Sequence, residues 1–214
     1  MASKSNSDDF LAMLGRREIP KSRRLALREP PYDEAAAAVV GNTAFKGLSP
    51  INLRMSLAHH PKLASAFQAM SHIVMFQTAV AERDREIAII RTGALTRSEY
   101  EWGMHVSIFG EKCGLTPEQV EDVTVSKTWR DLKPGLWNER EQLVVRMVDE
   151  LHHHSTIADE TWLQLTKHFP NDQVVELIFS SSFYHMAAFY LNSTAVPLED
   201  GSQRFPEGVM QASV

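Results

Sequence analysis

The stretch Arg85-Glu86-Ile87-Ala88-Ile89-Ile90-Arg91, followed after six intervening residues by Ser98-Glu99-Tyr100-Glu101-Trp102-Gly103-Met104-His105, decides how this chain is read. Ser98, Glu101 and His105 are spaced i, i+3, i+7, which puts them on one face of a helix. Glu86 stands twelve residues before Ser98, on what reads as the preceding helix, where it interrupts an apolar run. A buried carboxylate needs a partner. An imidazole on the adjacent helix would supply one, and the alternative is a salt bridge to Arg83, Arg85 or Arg91. Glu101 and His105, four residues apart, can pass a proton. Burial raises a carboxyl pKa and a neighbouring carboxylate raises that of an imidazole, so both groups move toward neutral pH, where proton transfer is most efficient. The same spacing has a plainer explanation. Glu101 can be the N3 partner of a capping box opened by Ser98, and the Glu101/His105 pair an exposed contact worth about 0.3–0.5 kcal/mol.

Outward from this stretch the chain reads as helix after helix. Asn52–His59 is a short one, and Pro61 can open the next, which runs from Lys62 to about Val80, because a proline at the first helical position loses no hydrogen bond. A helix over Asp84–Leu95 follows, then one from Ser98 to Cys113, ended by Gly114 as a left-handed cap. Thr116-Pro117-Glu118-Gln119 is a capping box with proline at N1, opening a helix to about Val125. Asn138 with Glu141 repeats the device before a helix to about His153, whose Leu143, Val144, Met147, Val148 and Leu151 form an apolar stripe. Asp159–His168 is the next helix, and Asn171 caps a long one that runs to about Thr194 and stops before Pro197. No alternating run with a hairpin turn occurs, so the fold class is all-α. A faint internal echo, a long apolar run turning into aromatic plus His, links residues 85–105 with 173–192 and suggests a helical duplication.

At the N-terminus, residues 1–9 are small and polar, Phe10–Leu14 is a short apolar turn, and Pro20, Pro30 and Pro31 argue for an extended arm that wraps the body or a neighbouring subunit. Ala35–Val40 is a short helix candidate. The expected organisation is an arm over 1–45, a helical domain over 46–200 and a tail over 201–214.

Of 214 residues, 43% are hydrophobic, enough for one domain with a proper core. The formal net charge is −5 and the pI about 6.0. With no basic stripe interleaved with aromatics, nucleic acid is not an expected partner. A single cysteine, Cys113, closes no internal disulfide and fits a reducing compartment. It falls with Trp102, Val106 and Phe109 on one stripe, as a small core residue does. Neither a signal-peptide pattern in the first thirty residues nor an apolar run near ~20 residues is evident, so a soluble, cytoplasmic protein with no membrane partner is expected.

Other candidates carry less chemistry. His152-His153-His154 ends a helix, but consecutive side chains point about 100° apart and do not converge on an ion, whereas imidazoles suit a helix C-terminus. His59-His60 before Pro61 reads as a helix end. His185, Phe189 and Asn192 share a helical face, so Tyr184-His185 is expected to line a pocket near the Glu101 helix. Tyr100 and Trp102 are further candidate walls. No metal or cofactor is expected.

Several stretches taken together carry a resemblance. They are Arg83-Asp-Arg-Glu-Ile-Ala-Ile-Ile-Arg-Thr-Gly93, Tyr100-Glu-Trp-x-x-His105, Gly114-Leu-Thr-Pro-Glu-Gln119, Ala58-His-His-Pro-Lys-Leu63, Asp149-Glu-Leu-His152, Ala158-Asp-Glu-Thr-Trp162 and Phe183-Tyr-His-Met186. Over roughly Ile51 to Glu199 the chain resembles the carboxymuconolactone decarboxylase family, the all-helical superfamily that also holds the AhpD-type alkylhydroperoxidases. The resemblance implies an AhpD-like bundle and a homo-oligomer, a dimer, trimer or hexamer. In the peroxidase branch a helix start carries Cys-x-x-Cys-x-x-x-His, with a glutamate twelve residues earlier. That glutamate falls on Glu86 and the histidine on His105, but the cysteine positions are Ser98 and Glu101. A hydroxyl and a carboxylate form no disulfide, so peroxidase activity is disfavoured, and residual peroxidase chemistry through Cys113 is weaker still.

The resemblance then implies a cofactor-independent lyase that decarboxylates or isomerises a small carboxylated lactone or related carbonyl compound. His105 would be the acid/base at carbon, Glu101 its proton-exchange partner, and Glu86 would orient the imidazole. Ser98 or Tyr184 would donate to the developing oxyanion, and Arg85 or Arg91 would hold the substrate carboxylate. The competing expectation is a non-catalytic helical oligomer that binds a small molecule or a partner, with Glu101 and His105 structural.

Overall fold

The computed structural model describes residues 19–41 and 51–207. The Phe10–Leu14 turn and the polar residues 1–9 lie outside the described residues. The helices are α1 (Glu34–Gly41), α2 (Asn52–Leu57), α3 (Pro61–Phe76), α4 (Glu82–Leu95), α5 (Glu99–His105), α6 (Pro117–Val125), α7 (Glu139–His154), α8 (Asp159–His168) and α9 (Asn171–Thr194). A π-helical turn, Val106–Gly110, continues α5, and a 3-10 turn, Trp129–Asp131, precedes α7. No strand occurs among the described residues, and the fold is all-α, as the sequence predicts.

Helix α4 is the axis of the molecule, packed against α5, α6, α7 and α9. Every residue from Asp84 to Ala94 is buried, although four of them are charged. The apolar members, Ile87, Ala88 and Ile90, pack with Trp102 of α5, Val144 and Val148 of α7, and Leu177 of α9. The charged members are tolerated because each has a partner. Asp84 meets Arg140, Arg85 meets Glu86, and Arg91 meets Asp149 at 2.7 Å. Helices α1, α2 and α3 pack on one another. Two clusters tie them to the rest: Leu53 with Tyr100, Met104 and Leu191, and Val74 and Met75 with Ile89, Phe109, Phe183 and Tyr184. This cap lies across α5 and α9, and the space beneath it is the cavity discussed below. The described part of the N-terminal arm runs along the same side. Arg24 and Leu25 donate to the Thr194 carbonyl at 3.0 and 3.3 Å, and Arg28 to the Met55 carbonyl at 3.1 Å.

The capping boxes at Thr116/Gln119 and Asn138/Glu141 form with both reciprocal bonds, and Gly114 takes the left-handed conformation at φ 73°. The box expected at Ser98 does not form. The turn between α4 and α5 is so tight that a Cβ on Gly93 would lie 3.0 Å from Trp102 Cβ. In that turn the Ser98 N–H already donates to the Gly93 carbonyl at 2.8 Å, so Glu101 has no donor to reach back for. Helix α5 also stops at His105 and changes pitch, where an unbroken helix to Cys113 was expected. Helix α3 ends at Phe76 rather than Val80, and Asn171 is the first residue of α9 rather than its cap.

The expectation that no apolar run reaches membrane-spanning length needs correction. Helix α9 is long and apolar enough by length and composition. Its buried face packs against α3, α4 and α5, as a core helix does.

Candidate active site

Glu86 on α4 and His105 on α5 meet where the two helices pack. His105 Nδ1 lies 2.8 Å from Glu86 Oε2. The other oxygen, Glu86 Oε1, accepts from Arg85 Nε at 3.1 Å and Nη2 at 2.9 Å. Glu86 is fully buried, and its carboxylate is shared between these two partners. With Arg85 on one oxygen, the carboxylate serves as acceptor for an Nδ1 proton, which fixes the tautomer and leaves Nε2 as the working nitrogen. Phe109 stacks on the imidazole at 5.4 Å between centroids, and Tyr184 meets it edge-on at 4.8 Å, so packing as well as hydrogen bonding holds the ring. The π-helical turn begins at the next residue, Val106, a departure from α-helical pitch often found at functional sites.

On the open side, His105 Nε2 is 3.8 Å from Glu101 Oε2. That is too long for a direct hydrogen bond, and it is a separation that a polar atom of a bound molecule can bridge. Burial pushes the Glu101 carboxyl up to about 7, with the charge of Glu199 adding and His105 opposing. The group therefore exchanges its proton near neutral pH. Burial, with the charges of Glu101 and Glu86, also pushes the Tyr184 phenol well above its ordinary range, which keeps it a neutral donor. Among the described residues its hydroxyl is held only by Met75 Sδ, a weak acceptor, at 2.9 Å.

Glu101, His105, Tyr184 and Tyr100 line a cavity of about 740 Å³ between the α1–α3 cap and helices α5 and α9. Its other walls are mainly apolar, with Leu53, Phe67, Met75, Met104, Ile108 and Phe183 among them. The volume suits a small organic molecule. At one end the Tyr100 hydroxyl donates to Glu199 Oε1 at 2.7 Å and accepts from the Leu53 N–H at 3.1 Å.

The remaining candidates lie elsewhere. Ser98 is fully buried in the α4–α5 turn, and its hydroxyl has no partner among the described residues. Trp102 faces the α4–α7 core, where its indole N–H donates to Thr124 Oγ1 at 2.8 Å. Arg85 backs Glu86 from behind the cavity. Arg91 is wholly buried against Asp149 and the carbonyls of Val123, Ser126 and Lys127. Neither arginine is a cavity wall. His185 points the other way along α9, bonded to His152 at 2.9 Å and to the Ser181 carbonyl at 2.9 Å. Two features escape the sequence pattern. They are Arg54, a cavity wall whose spacing resembles that of any surface arginine, and Glu199, which lies behind the wall and holds Tyr100 from ninety-nine residues away.

Residues 61–138 match the profile of the carboxymuconolactone decarboxylase family. This stretch, 78 of the 214 residues, is similar to that family. It holds Glu86, Glu101 and His105, while Arg54 and Tyr184 line the cavity from outside the matched segment. Among solved structures, the chain is similar to an uncharacterised peroxidase-related protein with an alkylhydroperoxidase AhpD core from Ralstonia eutropha JMP134. The TM-score is 0.71 at 18% identity, covering 83% of this chain and 93% of that one. A peroxidase-related protein from Silicibacter sp. TM1040 gives 0.72 at 15%, covering 86% and 95%. The debrominase Bmp8 in complex with 2,3,4-tribromopyrrole gives 0.63 at 12%, covering 90% and 97%. At these identities the likeness is one of fold. No curated protein matches the sequence.

Proposed function

We propose that this protein is an acid/base enzyme that moves a proton at a carbon beside the carbonyl group of a small compound held in the cavity. The observation that carries the proposal is the buried line Arg85–Glu86–His105, which ends on an imidazole nitrogen facing Glu101 at the wall of an apolar cavity. A structural histidine needs no carboxylate fixing one nitrogen while the other faces a space large enough for a ligand. A catalytic one needs both.

Two reactions suit this arrangement, decarboxylation and isomerisation of a small carboxylated lactone or related carbonyl compound. In decarboxylation, the bond to the carboxylate breaks, CO₂ leaves, and the electron pair passes into the conjugated carbonyl as an enolate. Tyr184 is the donor placed near that oxyanion, and exchanging Met75 Sδ for a charged oxygen strengthens its hydrogen bond. His105 Nε2 then delivers a proton to carbon, taken from Glu101 through a bridging water, and Glu101 regains its proton from solvent. In isomerisation, His105 removes a proton from one carbon and returns it, or Glu101's, to another. The sequence holds no second cysteine, so the dithiol chemistry of peroxide reduction is not part of the proposal.

The test is a panel of small lactone acids and β-keto acids assayed for CO₂ release and for loss of the conjugated chromophore. Turnover that disappears in His105→Ala, with helical circular dichroism unchanged, supports the proposal. Full activity in that variant, or ligand-induced stabilisation with no turnover across the panel, argues for a binding protein instead.

A further inference from the structure

We propose that Arg54 is an anion receptor that selects small organic carboxylates for the cavity. Arg54 projects from α2, is 8% exposed and lines the cavity. It forms no side-chain hydrogen bond or ion pair among the described residues. This sets it apart from six other buried or half-buried arginines: Arg28 meets Asp33, Arg83 meets Glu141, Arg85 meets Glu86, Arg91 meets Asp149, Arg140 meets Asp84 and Arg146 meets Glu150. A guanidinium taken out of water without a counter-charge is costly, and the cost falls when an anion arrives with a ligand. No resident carboxylate takes that part. Glu199 accepts from Tyr100 and the Asn52 N–H on Oε1, its buried Oε2 meets no donor among the described residues, Arg54 included, and Glu101 faces His105. Burial accordingly pushes the Arg54 guanidinium down from its ordinary range, with Tyr100 opposing.

The rest of the cavity narrows the ligand's chemistry. A planar guanidinium fork matches a carboxylate in two parallel hydrogen bonds. Among the described residues, Arg54 is the only lysine or arginine in the cavity wall, so the site matches one negative charge. Phe67, Met104, Ile108 and Phe183 leave the rest of the ligand an apolar surrounding. Helix α2 touches α5 at the Leu53–Tyr100 hydrogen bond, and His105 lies five residues further along α5, about 7.5 Å on. Arg54 therefore enters from the Tyr100 end, beside Glu101, and His105 lies about one and a half helical turns beyond. As a statement about binding, this stands independently of catalysis. As a statement about the substrate, it rests on the acid/base reading.

The test is calorimetric titration of the full chain with hexanoate and with its neutral counterpart hexanamide. Wild-type protein should bind hexanoate at least tenfold more tightly than hexanamide. Arg54→Met should weaken hexanoate by about ten- to a hundredfold, leave hexanamide unchanged or tighter, and melt no lower than wild type, since it removes an unpaired buried charge. Arg54→Lys should recover part of the loss. Equal affinity for the two probes in wild-type protein overturns the proposal even if Arg54→Met does not fold, and so does unchanged hexanoate affinity in a folded Arg54→Met. Failure of catalysis is read separately, from the CO₂ assay, which hexanoate binding does not require.

Discussion

At the scale of single residues, the consequence most open to measurement is the displaced titration of Glu101. Its carboxyl titrates near 7 in the folded protein, against 4.5 for an ordinary glutamate. The folded state thus holds this proton more tightly than the unfolded chain. The resulting stability is fully present below about pH 4.5 and is lost as pH rises through 7, and the whole displacement corresponds to roughly 3 kcal/mol. Glu101→Gln imitates the protonated acid at every pH. Chemical denaturation should show that this variant loses the decline in stability between about pH 4.5 and 7 and exceeds wild type at pH 8, while any turnover falls by about 10²–10⁴-fold. A variant less stable than wild type at pH 8 would mean that the carboxylate is paired rather than stranded. Arg91 carries the opposite expectation. Arg91→Leu leaves Asp149 charged and buried, and should cost about 3–5 kcal/mol of unfolding free energy while hexanoate binding by the folded fraction is unchanged. The distinction between these residues was only partly legible in the sequence. Glu86 announced itself as an acid inside an isoleucine run, and an imidazole was the natural partner. The arginines gave no such signal. Arg85 and Arg91 lie beside the motif and turned out to be internal counter-ions, whereas Arg54, the one lining the cavity, lies outside any motif, because pairing is a property of tertiary neighbours.

At the scale of elements, the same local pattern gave two outcomes. Thr116/Gln119 and Ser98/Glu101 both have the spacing of a capping box, yet one forms and the other does not. The difference is the close approach of Gly93 to Trp102, which supplies the Ser98 N–H with a backbone acceptor and frees Glu101 for the cavity. Substitution separates the cases. Thr116→Ala should cost about 1 kcal/mol in denaturant titrations. Ser98→Ala should be neutral or stabilising, because it removes a buried hydroxyl with no partner among the described residues. A loss of about 1 kcal/mol in Ser98→Ala would show that the box forms in solution. Helix existence was well marked by caps and apolar periodicity throughout. The change of pitch after His105 was not, since Val106–Gly110 contains nothing that forbids an α-helix. That turn is imposed by what packs around it, and it helps set the imidazole against Phe109.

At the scale of the whole molecule, the all-α class followed from the absence of strand patterns, but the enclosure of the site did not, because the cap and α9 reach it from outside the central motif. Helix α9 also raises a question that its buried face does not answer. Val175, Phe179, Met186 and Phe189 are 52%, 56%, 49% and 65% exposed, and with Ser182 they recur at alternating steps of four and three residues. That is the seam along which one helix packs on another of the same kind, and an apolar stripe of this length is seldom left to water. The occupant it fits best is α9 of a second copy, which carries the same stripe. Sedimentation at micromolar concentration should therefore give a mass above the 24.1 kDa of one chain. The double substitution Phe179→Glu with Phe189→Glu should return the protein to that mass, since like charges along the seam oppose pairing. Phe179 and Phe189 are not among the residues that line the cavity, so the dissociated variant should still bind hexanoate. A wild-type protein that sediments as one chain would assign the stripe to another occupant. A dissociated variant that no longer binds hexanoate would show that a second copy supports the cavity walls.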